Sequence, residues 1–387
     1  MGSVEPYETK AGRRYRVRYR DGERRQTDKR GFRTKREAQE FLATVEVSLL
    51  AGEYVNPADA RVTIDELGAA WIRDRKAILK PSTYHSEEST WRVHVQPRWG
   101  DLRIGRITHS EVQTWVSELA MTRSATTVKR AHGILAALLD AAVRDRRIAR
   151  NVARDVRLPR KKPAARVYLS HEQVQRLAEA SSKPELVYFL AYTGLRWSEA
   201  VGLRVEHVDM LRRRVHVVEN AVQIGGQINV GTPKNHKTRW VPFPEFLSDP
   251  LARLCEGKTR ASLLFGDGVT HLRRPHNERG WFQDAIKRLQ EEDLAAGRAA
   301  GKARAEIDVF PRLTPHDLRH TTASLAVSVG ANVKAVQQML GHSSAAMTLD
   351  IYADLFDDDL EAVAVELNTA RSNSVVGKMW ANGSLRE

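Results

Sequence analysis

Arginine, histidine and tyrosine recur in four short stretches of the C-terminal half, at spacings that suit anion binding and nucleophilic attack. In Thr193-Gly194-Leu195-Arg196-Trp197-Ser198-Glu199, Gly194 permits a tight turn. Arg196 and Glu199 stand three apart, so on a helix they share a face, and the carboxylate can aim the guanidinium fork at an anion. A surface ion pair is the plainer reading of that spacing alone. In Leu313-Thr314-Pro315-His316-Asp317-Leu318-Arg319-His320, Thr314 is a good N-cap, Pro315 suits the first helical position and Asp317 sits where a capping carboxylate belongs. His316 then falls in the first turn, where free N–H groups favour an anion such as phosphate, and Arg319 follows one turn later on the same face. His316 and His320 are also four apart, as in zinc-binding helices. The HExxH glutamate and any obvious third ligand are missing, so the zinc reading fails.

The third stretch is Leu340-Gly341-His342-Ser343-Ser344, in which Gly341 reads as the C-cap of a helix over 333–340 and His342 is presented at the helix end. The fourth is Thr348-Leu349-Asp350-Ile351-Tyr352-Ala353-Asp354. A tyrosine in such a setting is, on its own, most often a half-buried core residue. No GxxxxGK[ST] loop and no paired-carboxylate metal site accompanies these stretches, so neither a nucleotide nor a metal is expected as cofactor.

The elements that must position these residues can be read from periodicity and caps. The C-terminal segment opens near Val167, with Ser170 and Gln173 spaced as a capping box ahead of further helices. Strand-like runs follow at Val215–Val218, Ala221–Ile224, Ile228–Val230 and Arg239–Phe243, separated by Gly225-Gly226 and by a polar Lys-Asn-His-Lys-Thr loop. Ala295–Ala305 reads as an exposed loop or helix end, and from Pro315 the chain is again mainly helical. Upstream, Thr63 with Glu66 and Thr108 with Glu111 have helix-starting spacing. A helix over 125–148 places Val128, Ala131, Leu135, Leu138, Leu139 and Ala142 on one apolar face. At the N-terminus, 13 Lys or Arg between Lys10 and Arg36 face only Asp21, Glu23 and Asp28. Tyr15, Val17 and Tyr19 alternate there with Arg14, Arg16, Arg18 and Arg20, the period of a strand with one basic face. Asp21-Gly22 supplies a hairpin turn, and a helix is expected over 34–50. Such a face suits a DNA groove or its phosphates, although a solvated strand has the same pattern.

Bulk composition bounds the answer. With 387 residues, two or three domains are expected, and 42% hydrophobic with 28% charged residues is an ordinary globular mix. The net charge of +14 favours a polyanionic partner. One cysteine, Cys255, excludes an intramolecular disulfide and a CxxC zinc site, and fits a reducing compartment. No apolar run nears the roughly 20 residues needed to span a bilayer, and the N-terminus turns basic without a signal-peptide core. A cytoplasmic protein with no membrane partner is expected.

Taken together, TGLRWSE, TPHDLRHTTASL and LGHSSAAMTLDIYAD resemble the signature boxes of the tyrosine recombinases, the bacteriophage integrases among them, in order and separation. The resemblance covers the whole C-terminal segment, and the layout ahead of it is similar to the arm-binding and core-binding domains of phage integrases. It implies an α+β chain that is mainly α with small β-sheets. An arm-type DNA-binding domain (1–56, a three-stranded sheet plus a helix) precedes a helical core-type DNA-binding domain (61–155). A linker (156–166), a mixed α/β catalytic domain (167–370) and a tail (371–387) follow. Arg196 and Arg319 would clamp the scissile phosphate, His316 and His342 would hydrogen-bond it, and Tyr352 would attack it, with His316 the favoured base. Lys234 best matches the family's hairpin lysine, with Lys237 its rival. Ser198 and Ala200 depart from the Gly and Leu usual in the family, neither at a catalytic position. The implied activity is site-specific recombination through a 3′-phosphotyrosyl intermediate. Double-stranded DNA with core and arm attachment sites is the implied substrate, bound by a homo-tetramer near the nucleoid of a bacterial host. A DNA-bending host factor and a directionality factor are further implied partners. A stripe of Leu360, Val363, Ala364 and Leu367 would dock on a neighbouring protomer. A Xer-like or transposon recombinase, a type IB topoisomerase and a non-catalytic DNA-binding regulator stay open as alternatives.

Overall fold

The computed structural model describes residues 2–21, 25–50, 54–56, 58–161, 166–232, 238–352, 355, 365, 367–369 and 371. The chain forms two compact units, Met1–Pro163 and Ala164–Glu387.

The first unit begins with an antiparallel sheet of β1 (Ser3–Thr9), β2 (Gly12–Arg20) and β3 (Gln26–Phe32), with β2 in the middle. Alternation along β2 sends Val17 and Tyr19 into a small core, where they meet Ala38 and Val45 of helix α1 (Lys35–Leu50). The arginines therefore share the opposite face, as their spacing predicts. That face is not purely basic, because Glu5 on β1 stands in register with Arg16 and pairs with Arg16 at 2.7 Å and Arg18 at 3.4 Å. Among the described residues, Arg14 and Arg20 have no ion-pair partner. Thr34 and Glu37 cap α1 reciprocally, one residue inside the expected span. Tyr54 packs against this small core, its hydroxyl 2.9 Å from that of Tyr19.

Helices α2 (Ile64–Ile78), α3 (Pro81–Thr90), α4 (Gln96–Trp99), α5 (His109–Thr122) and α6 (Ala125–Arg144) make up the rest of this unit. Both expected capping boxes form, at Thr63 with Glu66 and at Thr108 with Glu111. A π-helical turn over Trp91–Val95 joins α3 to α4. It keeps Trp91, Val95 and Trp99 buried at four-residue intervals on one face. The six apolar positions of α6 are all buried in the same core. This helix ends at Arg144, four residues short of the expected span. Arg146 turns to φ +55°, and the Asn151 side-chain amide donates back to the Ala136 carbonyl at 2.8 Å, folding the following segment onto α6.

In the second unit, α7 (His171–Ala180), α8 (Pro184–Thr193) and α9 (Trp197–Ala200) precede strands β4 (Val208–Asp209), β5 (Arg214–Val217), β6 (Asn220–Ile224), β7 (Gln227–Gly231) and β8 (Arg239–Pro242). The four strand-like runs of the sequence are β5 to β8, and Ser170 with Gln173 forms the expected capping box. Strands β4, β5 and β8 form one antiparallel sheet, and β6 with β7 a separate hairpin. The hairpin turns on Gly225 and Gly226, with φ of +56° and +84°, the left-handed conformations a two-residue turn of this kind requires. Helices α10 (Ser248–Cys255), α11 (Trp281–Ala299), α12 (Asp317–Ser328), α13 (Val333–Leu340) and α14 (Ala345–Tyr352) complete the unit. Its main core gathers Leu177, Phe189 and Leu190 of α7 and α8, Val215 and Val241 of the sheet, and Phe282 and Ile286 of α11. Lys234, Lys237 and three of the four residues of the C-terminal apolar stripe lie outside the described residues; the fourth, Leu367, is exposed. Among the described residues no helix is long and apolar enough to cross a membrane.

Candidate active site

Arg319 projects from α12 into the interior, with 3% of its surface exposed. One guanidinium nitrogen donates to the Gly194 carbonyl at 2.6 Å and the other to the Leu340 carbonyl at 2.5 Å. Both acceptors lie at helix C-termini, where carbonyls lack intrahelical partners and the dipole favours a cation. Gly194 caps α8 at φ +65° and Gly341 caps α13 at φ +66°, as their positions in the sequence predict. Neither tolerates a side chain: a Cβ on Gly194 would lie 2.6 Å from Leu340, and one on Gly341 2.8 Å from the Arg239 guanidinium. Burial, then the charge of Arg196, brings Arg319 down to about 9, so it stays protonated at neutral pH.

Arg196 is the N-cap residue of α9, and its side chain donates to Glu199 at 2.8 Å, the orienting contact their spacing suggests. Glu199 is only 1% exposed, so this is no surface pair. Its second partner, Arg239 on β8, was not singled out by any motif. Arg239 donates to both Glu199 oxygens, at 3.1 and 2.7 Å, and to the Met339 carbonyl at 3.4 Å. Burial by itself raises the Glu199 pKa, but the Arg239 hydrogen bond and the charges of Arg239 and Arg196 outweigh it and bring the carboxyl to about 2. The strand alternation of Arg239–Phe243 was visible in the sequence; nothing local marks Arg239 as the residue that reaches Glu199.

Helix α12 starts at Asp317, two residues later than expected, so His316 precedes its first turn; Thr314 is not its N-cap but donates its amide and hydroxyl to Asp317 at 2.7 and 2.8 Å. The His316 ring reaches solvent. Its pKa is lowered by partial desolvation first, then by Arg319, with Arg196 and Arg274 adding. Together with Arg196, Thr314 and Arg274 it lines a cleft of about 500 Å³. Tyr352, at the end of α14, lies behind this cleft and is 1% exposed. Its hydroxyl is 2.9 Å from Nδ1 of His320. The expected base, His316, makes no such contact; its ring centre lies 5.3 Å from that of His320, which separates it from the tyrosine. In the sequence His320 stands out only by its four-residue spacing from His316, the spacing of a zinc-binding helix. His342 is buried, with Nδ1 3.0 Å from the Thr348 hydroxyl and its ring stacked near that of Tyr352 at 6.3 Å.

Burial pushes the Tyr352 phenol up to about 12 despite the nearby Arg319. It lowers His320 to about 4, helped by His316, and His342 to about 4, helped by Arg319 and Arg196. Both imidazoles are thus neutral at pH 7, and the tautomer of His320 sets whether its Nδ1 accepts from the Tyr352 hydroxyl or donates to it. Five expected site residues, Arg196, His316, Arg319, His342 and Tyr352, therefore gather from four helix ends and one helix face. Two of them border the open cleft and three lie buried behind it. Among the described residues no group of three or more potential metal ligands occurs.

Comparisons with known proteins place these features in a wider set. Residues 167–358 match the phage integrase family, residues 65–158 the phage integrase central domain, and residues 7–49 an arm DNA-binding domain. An integrase of Mycobacterium phage D29 is 26% identical, covering 83% of this chain and 84% of its own. Tyrosine recombinase XerC of Mycobacterium tuberculosis (strain ATCC 25177 / H37Ra) is 30% identical over 62% of this chain and 77% of its own. Among solved structures, the Tn1549 transposon integrase in complex with a circular intermediate DNA has the same fold. It aligns with a TM-score of 0.59 at 23% identity, over 79% of this chain and 99% of that one. A lambda integrase dimer bound to a COC′ core site aligns with a TM-score of 0.52 at 17% identity, over 92% and 95%.

Stability should fall in two steps on acidification. Below the ordinary histidine value of 6.5 the unfolded chain binds protons that His320 and His342 refuse until about pH 4. Below the ordinary 4.5 the unfolded chain also protonates the counterpart of Glu199, whose contribution is lost as pH falls toward 2. Urea midpoints measured across pH 7 to 3 should decline through both windows, and H320Q should flatten the upper one. Arg239→Met, which leaves a buried carboxylate half-paired, should lower unfolding free energy by about 3–5 kcal/mol in the same assay.

Proposed function

We propose that this chain, a member of the phage integrase family of tyrosine recombinases, integrates and excises a phage or mobile-element DNA by cutting and rejoining it through Tyr352. The observation that carries this reading is the convergence of Arg196, His316, Arg319, His342 and Tyr352, widely separated in sequence, on one cleft and the wall behind it. It is a site-specific recombinase acting on DNA; the arm-domain match at residues 7–49 favours an integrase over a Xer-like enzyme or a topoisomerase.

In this reading the scissile phosphate enters the cleft, where the Arg196 guanidinium and His316 meet its non-bridging oxygens. Arg319 keeps N–H groups beyond the two it gives to carbonyls, and it adds its charge from behind. Donors fixed before the reaction stabilise the charge that builds on the phosphoryl oxygens, each by about 10²–10³ in rate. Tyr352 must leave its buried position to attack. Its proton passes to a neutral imidazole, and His320, already its hydrogen-bond partner, is the nearest; an arriving phosphate raises that imidazole's proton affinity. The Tyr352 oxygen bonds to phosphorus, the bond to the 5′ oxygen breaks, and Lys234 (or Lys237) protonates the leaving oxygen. The phosphotyrosyl bond preserves the energy needed for religation by a 5′ hydroxyl of a second duplex.

Residues 1–56 would hold distal arm sites, 61–155 and 167–370 would each bind the core site with 156–166 as the linker, and 371–387 would form the tail. The protein would act as a tetramer on DNA near the nucleoid, with a DNA-bending host factor and a directionality factor as partners. The face of β2 that bears Arg14 and Arg20 supports the arm role, with Arg16 and Arg18 partly neutralised by Glu5.

Incubation with a suicide duplex carrying candidate attachment sites should give a covalent protein–DNA adduct for the natural chain and none for Tyr352→Phe. An adduct that persists in the variant would place the nucleophile elsewhere. Removal of residues 1–56 should abolish binding to arm sites while core-site cleavage survives; loss of both would contradict the modular reading.

A further inference from the structure

The cleft bordered by Arg196 and His316 does not end at the residues of the signature boxes. A second cleft of about 370 Å³ adjoins it, bounded by the Gly225-Gly226 hairpin turn and by residues 274–277. Gln223 and Arg274 line both, so the two depressions run into each other at these side chains. We propose that Arg274, presented beside the β6–β7 hairpin, forms a second backbone-phosphate subsite that holds the DNA phosphate neighbouring the scissile one. The ligand being DNA rests on the recombinase reading; the anion subsite itself rests on the geometry.

Four observations point to a bound anion. Arg274 is exposed and, among the described residues, has no ion-pair partner. No acidic residue lines either cleft among the described residues, so nothing there competes for the guanidinium. Asp317, the carboxylate next to His316 in the chain, is already engaged by Thr314. The backbone around Arg274 is also held in place. Its amide donates to the Gln223 side chain on β6 at 3.2 Å, and Lys287 of α11 donates to the Glu278 carbonyl at 3.1 Å. An arginine on an anchored loop, facing a cation-lined groove, presents its planar fork to an anion at lower entropic cost than a free surface arginine does. A DNA strand with its phosphate at Arg196 and His316 continues along the same groove, so consecutive phosphates would meet consecutive subsites. Arg274 is then a positioning residue that sets the register of the strand against the nucleophile.

The test uses the full chain and a random-sequence duplex titrated across salt concentrations. Arg274→Gln should bind about tenfold more weakly at moderate salt, in the range of one charge-assisted hydrogen bond. It should also reduce the slope of log affinity against log salt by about 0.9, the signature of one lost phosphate contact. Arg274→Lys, which keeps the charge, should retain the natural slope. An unchanged slope in Arg274→Gln, or a slope lost equally in Arg274→Lys, overturns the assignment. On the cleavable duplex, a neutral methylphosphonate moved one position at a time should weaken the natural chain most next to the scissile phosphate. It should weaken Arg274→Gln no further at that position; losses that multiply at every position would overturn the subsite. Failure of the recombinase reading looks different. In that case the natural chain forms no Tyr352 adduct, while the effect of Arg274→Gln on the salt slope remains.

Discussion

A guanidinium buried between two helix ends holds this site together. Arg319 satisfies the Gly194 carbonyl at the end of α8 and the Leu340 carbonyl at the end of α13, two groups that would otherwise be left without partners in the interior. An uncompensated cation at this depth would be costly, and an uncapped pair of carbonyls nearly as much so. Each solves the other's problem. The consequence is geometric: the turn that carries Arg196 and the turn that carries His342 are drawn to one side chain of the helix that begins beside His316. The two glycines follow from the same constraint, since a Cβ at either would strike the groups that Arg319 and Arg239 bring together.

A second buried charge stabilises the first. Glu199 offsets part of the repulsion among Arg196, Arg239 and Arg319, and it does so from a position where solvent screens little. The result is a dense cluster of guanidinium groups held by a carboxylate and backbone carbonyls of the protein itself, with Arg196 turned toward the open cleft. Such a cluster is preorganised: the cost of assembling like charges is met in folding, so it need not be met when a phosphate arrives. The desolvation that stabilises neutral His320 and His342 is the same desolvation that makes Tyr352 a poor acid. A phenol 1% exposed and pushed up to about 12 is unreactive where it lies, which fits the proposed role of a nucleophile that waits for a correctly placed duplex.

Much of the architecture was legible from local rules. Capping boxes at Thr63, Thr108 and Ser170 mark helix starts because a side chain and a backbone amide three residues apart must meet there. The alternation of β2 and the four runs from Val215 to Phe243 gave strands because a period of two admits no other regular fold. The misses share a cause. Helix α6 stops at Arg144, beyond which Arg146 turns left-handed and Asn151 reaches back to Ala136, fifteen positions earlier. Arg239, Arg274 and His320 went unassigned because each acts on a partner 32 to 51 positions away or on a cleft, and no short motif encodes such distances.

By itself, then, the sequence determined which residue types could bind and attack a phosphate diester, where the helices begin and end around them, and the family to which the boxes belong. These are local properties, set by side-chain chemistry and by contacts within a few residues. Only the tertiary structure decided that Glu199 is a buried counter-ion shared by two arginines, and that Tyr352 rests against His320 instead of His316. It also decided that the cleft continues past the signature residues to Arg274. Those outcomes depend on burial and on long-range proximity, which arise when distant segments pack and which spacing along a chain does not specify.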